Sequence, residues 1–259
     1  MNKFAKILKR YKYNLNTGDI VAGTILHEEH SGFLVNIGTQ TAGYLPKEEL
    51  EIASKSIFNN NLSLINATRE FFLLTTHIDN KQCILSIKRL EYMRAWKRIK
   101  QIYLEDVLFT LNIKYVNKGG CITYLEGIQG FIPRSHINLT RRKEIKKTLI
   151  YNKTIECKLL TASEQKNQLI LSNISALLNL CIHKFKLGEL VYGQIILIKS
   201  YGLFIDVYGI KALLHISEIG SKYIKNIDFF FYIGKMIKVK IIYINSKHGK
   251  ISVSRRNLK

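Results

Sequence analysis

Short runs of alternating apolar and polar positions recur along the chain in a fixed order, and that order occurs three times. The first run of each set reads GDIVAGTIL at 18–26, EDVLFTLNI at 105–113 and GELVYGQII at 188–196. The second reads GFLVNIG at 32–38, GGCITYLEG at 119–127 and GLFIDVYG at 202–209. A compact segment follows: GYLPKEEL at 43–50, GFIPRSHI at 130–137 and ALLHISEI at 212–219. After a stretch of variable length comes a closing run containing a Ser: QCILSIKR at 82–89, QLILSN at 168–173 and KISVSRR at 250–256. In the third copy Leu203, Ile205 and Val207 fall on one face, and Phe204 and Asp206 on the other. Period two marks a half-buried strand. Each copy therefore reads as roughly five short strands in about 70 residues, a unit that hides its edges best by closing into a barrel.

Two segments break the pattern. In 90–104, LEYMRAWKRIKQIYL, the residues Tyr92, Ala95, Ile99 and Ile102 stand at helical spacing, with Trp96 placed to anchor the helix against a barrel. A second helical stretch is predicted near 175–184. The fold class is thus all-β: three tandem OB-fold five-stranded antiparallel barrels joined by short helical linkers. The partition is a basic extension at 1–16, repeat one at 17–89, a helical linker at 90–105, repeat two at 106–173, a linker at 174–187 and repeat three at 188–256.

Charge separates the three copies. The chain carries 40 Lys and Arg against 19 Asp and Glu, a formal +21, which points to a polyanionic partner. The excess is uneven: 17–89 sums to −2, 106–183 to +6 and 184–259 to +10. Copies two and three should attract RNA strongly, while copy one is left for protein docking. The basic residues do not line one long amphipathic helix, and no apolar run approaches a bilayer span, so no membrane role is expected. The N-terminus has neither a signal-peptide core nor a transit-peptide composition. The four cysteines, Cys83, Cys121, Cys157 and Cys181, lie far apart and read as reduced apolar residues. Abundant Ile, Lys and Asn suggest an AT-rich genome.

A single strand without fixed sequence is held by stacked aromatics along a basic groove. Copy three supplies the parts: Tyr201 and Phe204 flanking Gly202, His215 in the compact segment, and Lys199, Asn245, Lys250 and Arg255 as donors. Residues three apart face opposite sides of a regular strand, so a bulge at Gly202 is expected to bring both rings to one face. Copy two offers Lys118 and Cys121 where copy three has Tyr201 and Phe204, and Pro133 where it has His215. Stacking there should be weaker, with Arg134, His136 and the run Arg141, Arg142, Lys143, Lys146, Lys147 contributing charge. Copy one has Ser31, Leu34 and Pro46 at these positions and lacks the platform. No paired metal ligands, phosphate-binding Gly loop or nucleophile motif occurs, so neither a catalytic site nor a metal or cofactor is expected.

These runs resemble the repeat that defines the ribosomal protein S-one family of the small subunit. YGLFIDV followed by ALLHISEI is its typical form; NKGG at 117–120 with GFIPRSHI is similar to its second repeat in cyanobacteria and plastids, and EFFLLT at 70–75 with RLEYMRAW at 89–96 to that group's first repeat and linker. The resemblance covers about residues 15–256. It implies OB barrels, attachment to the small ribosomal subunit through the N-terminal part, and capture of single-stranded mRNA leaders. It also implies that the RNA face uses Tyr201, Phe204, His215, Asn245 and Lys250, with Lys250 standing where Arg is commoner. The three-repeat length and AT bias point to a plastid-encoded stromal protein, or otherwise to a bacterial cytoplasm. A ribosome-free RNA chaperone or stability factor built from the same repeats is the alternative.

Overall fold

In the computed structural model, which describes residues 15–39, 41–50, 65–76, 83–138, 154–220, 227, 230–256 and 258, the alternating runs form strands arranged in three similar sheets. The first is a closed barrel of β1 (Ile20–Glu28), β2 (Gly32–Asn36), β3 (Gly43–Pro46), β4 (Thr68–Thr76) and β5 (Cys83–Ser86), in the order β1-β2-β3-β5-β4. Not every pair is antiparallel: β3 and β5 run parallel, with Tyr44 opposite Ile84. A closed ring of five strands cannot alternate direction all the way round, so one pair has to share a direction. Val21, Ile25, Phe33, Val35, Leu45, Phe71, Leu73 and Leu85 fill the interior.

Helix α1 (Ile87–Leu104) follows directly. It begins three residues earlier than the helical spacing suggested, because Ser86 ends β5 and its Oγ accepts the backbone N–H of Arg89 at 2.8 Å. Leu90, Ala95, Trp96 and Ile99 form its buried stripe, and Tyr92 meets Trp96 edge-on at 6.3 Å. The chain divides into two compact units, Met1–Arg98 and Ile99–Lys259.

The second unit holds the other two sheets. Repeat two has six strands, β6 (Phe109–Asn112), β7 (Tyr115–Val116), β8 (Gly120–Leu125), β9 (Ile128–Pro133), β10 (Thr154–Ser163) and β11 (Gln168–Ser172), in the order β6-β10-β11-β9-β8-β7. Its expected first strand, 105–113, is broken. Residues 105–108 form no strand, with Asp106 at φ 58°, and the strand itself is interrupted after Asn112. The two halves still serve the two partners a single first strand would: β6 pairs with β10 and β7 with β8. Repeat three closes fully: β12 (Leu190–Lys199), β13 (Gly202–Val207), β14 (Ile210–His215), β15 (Met236–Asn245) and β16 (Lys250–Ser254), in the order β12-β13-β14-β16-β15.

Helix α2 (Asn173–Leu180) ties repeats two and three together. Ser172 caps it, its Oγ accepting from the Ser175 N–H at 3.0 Å. Leu178 and, past the helix, Phe185 lie in the core of the third barrel beside Val191, Leu203 and Leu214. Ser175 Oγ bonds the carbonyls of Ser246 and Lys247, and Asn138 Nδ2 donates to the Gly209 carbonyl at 2.7 Å. Gly249, at φ +64°, lets the β15–β16 turn reach the helix; a Cβ there would lie 2.8 Å from Ile174 Cγ2 and from the Ser175 nitrogen. The Ser that closes each repeat therefore has a structural role. Ser86, Ser172 and Ser254 are buried, and each hydroxyl accepts a backbone N–H of the chain that follows.

Candidate nucleic-acid interface

On β13 the residues Leu203, Ile205 and Val207 point into the barrel, and Phe204 and Asp206 point out. No bulge occurs at Gly202: it pairs in register with Lys199 on one side and His215 on the other. The irregularity lies instead in β12, between Ile195 and Leu197. Tyr201 and Phe204 nevertheless come together, with ring centroids 6.1 Å apart and planes at 89°. Tyr201 stands in the turn ahead of β13 and is free of the strand's alternation. Lys211, from the next strand, sits 3.9 Å over the Phe204 ring.

Register extends this pair into a band across the barrel. Phe204 lies opposite Leu213, Leu213 beside Ser252 and Ser252 opposite Tyr243. Tyr243 is half exposed, and its hydroxyl accepts from Asn245 Nδ2 at 3.1 Å. Alternation counted from the start of β15 does not mark Tyr243, because an irregularity between Ile241 and Tyr243 reverses it just before that residue. Lys211, Asn245 and Lys250 flank one side of the band, Lys250 opposite Asn245. Tyr201, Lys199 and His215 flank the other. His215 Nδ1 accepts the Ser217 N–H, which places the ring proton on Nε2 and makes that edge a donor. The Arg255 guanidinium lies 5.7 Å over the Phe231 ring.

In repeat two, register shifts the expected correspondence by one residue. Gly120 pairs with Pro133 as Gly202 pairs with His215, so Gly119 and Ile122 occupy the positions of Tyr201 and Phe204. Cys121 is buried and matches Leu203. Lys118 is exposed in the turn before β8. Repeat two does carry outward rings: Ile122 lies between Tyr115 on β7 and Phe131 on β9, and Tyr115 and, further along β8, Tyr124 are exposed. Phe131 leans over the glycines that replace the missing ring, its Cζ 3.7 Å from where a Cβ of Gly119 would stand. The signal was present in the second position of the compact segment, GYLP in copy one and GFIP in copy two, where copy three has Leu213. In copy one, Tyr44 fills that position and its hydroxyl bonds Ser31 Oγ at 2.6 Å.

Repeats two and three meet at His136. His136 Nδ1 lies 3.1 Å from Ser172 Oγ. Burial lowers its pKa below the usual 6.5, and the charges of His248 and Lys250 from repeat three push the same way, so the ring is neutral at neutral pH. Arg134 is exposed in the turn beside it. Arg141 and Arg142, with the rest of their basic run, lie outside the described residues.

The family model described as "S1 RNA binding domain" matches residues 110–173 and 184–256, more than half of the chain. The small ribosomal subunit protein bS1c of Porphyra purpurea is 48% identical over 257 residues, covering 99% of this chain and 95% of that one. The chain belongs to the bS1 family of small ribosomal subunit proteins. Its bS1 relatives extend to cyanobacteria: bS1A of Synechocystis is 39% identical over 100% of this chain and 77% of its own. Among solved structures, the intact α subunit of aIF2 from Pyrococcus abyssi is 29% identical over 29% of this bS1 chain and 30% of its own, with a TM-score of 0.28. The segments of this bS1 chain that match are the two repeats that carry its basic excess.

Proposed function

We propose that this protein holds single-stranded mRNA at its leader and promotes its recruitment to the small ribosomal subunit for translation, as a binding protein and not a catalyst. The observation that carries this reading is the band of rings on repeat three, Tyr201, Phe204 and Tyr243, lying between Lys211 and Lys250 on one side and Lys199 on the other. Rings take bases in a sequence-tolerant way and lysines take phosphates. The RNA-contacting residues assigned in repeat three are Lys199, Tyr201, Phe204, His215, Tyr243, Asn245 and Lys250. Repeat two adds Lys118, Arg134 and His136, with Phe131 and Tyr115 in place of the missing strand-two rings. Repeat one, net negative over 17–89, is assigned to docking on the small subunit. The location assigned is a plastid stroma with the protein encoded in the organelle, or otherwise a bacterial cytoplasm. No helix among the described residues is long and apolar enough to cross a membrane.

In a sucrose gradient of native extract the protein should sediment with small subunits. Recovery from the top fractions alone would favour the alternative, a ribosome-free RNA chaperone. Binding of the purified chain to oligouridine should weaken steeply with salt. Five phosphate contacts at about −0.7 each give a log–log slope near −3.5. A flat response between low and physiological salt would remove the electrostatic half of the reading.

A further inference from the structure

The third barrel has a second exposed face with the same chemistry as its platform, on different strands. The band described above runs over β13, β14 and β16 and ends at the C-terminal half of β15. The N-terminal halves of β12 and β15 pair to close the barrel on its other side, with Val191, Ile195, Ile237, Val239 and Ile241 directed inward. Alternation sends the residues between them outward. Tyr192, 64% exposed, stands directly opposite Lys238, and Leu190 opposite Lys240. Gln194 stands opposite exposed Met236. Gln194 Nε2 also donates to the Gly234 carbonyl at 3.1 Å, and the Gly234 N–H donates to the Ile195 carbonyl at 2.8 Å. These bonds pin the 232–235 turn beside the sheet, where Tyr232 is 66% exposed and Lys235 Nζ lies 5.6 Å from its ring centroid. Lys238 and Lys240 form no ion pair among the described residues. Glu189, at the edge of the face, is engaged by the Lys186 backbone N–H.

We infer that this β12–β15 face binds a second segment of single-stranded RNA, with bases on Tyr192 and Tyr232 and phosphates on Lys238 and Lys240. Charge complementarity selects the occupant. Lysines are depleted from protein–protein interfaces, whereas lysines alternating with exposed rings are the means by which a single strand is held without sequence preference. Residues 184–259 also carry +10, far more than the platform face uses. The same register positions in barrel one hold Ala22 opposite Glu70, and Glu70 is ion-paired with Arg94 of α1. Ring and lysine are both absent there, so the face is particular to repeat three and not a by-product of the fold. RNA bound to both faces would wrap one barrel and lengthen the stretch each protein covers.

This inference rests on the single-strand reading above, and the test separates the two. The full-length chain is photocrosslinked to a 4-thiouridine oligonucleotide of about 30 residues, and crosslinked peptides are mapped; an OB fold occupies roughly 4–16 nucleotides, so this length spans both faces. Crosslinks are expected at Tyr192 or Tyr232 as well as on β13–β14, and those at Tyr192 or Tyr232 should persist in Phe204→Ala. The Tyr192→Ala/Tyr232→Ala double variant should bind the oligonucleotide about fivefold or more weakly, and Tyr192→Phe/Tyr232→Phe should restore binding. Crosslinks confined to the platform, or lost from Tyr192 and Tyr232 in Phe204→Ala, would overturn the second face and leave the platform standing. Unchanged RNA affinity with reduced small-subunit binding in the alanine variant would also overturn it, and would assign the face to an acidic protein. No crosslink anywhere would overturn the single-strand reading itself.

Discussion

Replacing Phe204 with Ala should weaken RNA binding by about five- to a hundredfold, the worth of one stacked base, while the barrel stays folded. The ring lies outside the barrel, against Tyr201 and beneath the Lys211 ammonium, and contributes nothing to the interior. Its loss should cost about 1 kcal/mol of stability, the scale of an aromatic pair on a surface. Leu203, one residue earlier, points inward and is fully buried. Leu203→Ala should cost about 2–5 kcal/mol through lost burial and the cavity left behind. Both variants belong in the full-length chain, because the core of the third barrel includes Leu178 and Phe185, which a fragment starting at β12 would lose. Fluorescence anisotropy with oligouridine and urea melts read the two effects independently. If Phe204→Ala unfolds the barrel while Leu203→Ala spares it, the outward assignments along β13 are inverted and have to be withdrawn.

Gly202→Ala should be among the most destabilising single substitutions in the third barrel. A Cβ at this position would lie 2.4 Å from the Leu214 carbonyl oxygen and 3.0 Å from His215 Cα, both backbone atoms of the paired strand. Neither is able to swing aside as a side chain would. The residue also sits at φ +156°, outside ordinary L-residue territory. Overpacking and strain together suggest a loss of about 2–4 kcal/mol, with β13 pushed from β14 where Tyr201 and His215 stand. RNA affinity should fall with stability, unlike the clean separation at Phe204. Gly220→Ala is the control: a Cβ there meets nothing within 4 Å, and its urea midpoint should not move. A Gly202→Ala midpoint matching that of Gly220→Ala would refute the close approach.

The repeated glycine is a case where the pattern was legible and its cause was not. Gly32, Gly120 and Gly202 open the second strand of each copy, and sequence alone reads the one in copy three as a bulge. In all three, a Cβ would run into a carbonyl of the third strand, at 2.5, 2.1 and 2.4 Å. The strands cross closely there, a long-range fact that a local reading of residues has no access to. The three barrels were legible because period two is set by one-sided burial, which shows in the order of residues. The irregular points were not. Bulges near Ile196 and Ile242 reverse the phase of β12 and β15, so alternation counted from either strand's start misplaces Leu197 and Tyr243. The one-residue offset in repeat two comes from strand register: only pairing with β9 shows that Gly120, and not Gly119, is the counterpart of Gly202. The sequence marks His136 and Lys250 each as a donor in its own repeat. Their proximity depends on helix α2, which no repeat contains by itself.

Helix α2 also bears on how such proteins are rearranged by recombination. A genetic exchange that cut between Leu180 and Leu190 would separate Leu178 from the barrel it completes, and Ser175 from the turn it holds. The transplantable cassette therefore starts at Asn173, so that a donated third repeat brings its own plug. A grafted repeat lacking that leading helix would arrive with an open end in its core, and chimaeras joined at the apparent linker should be recovered less often than those joined just after Ser172.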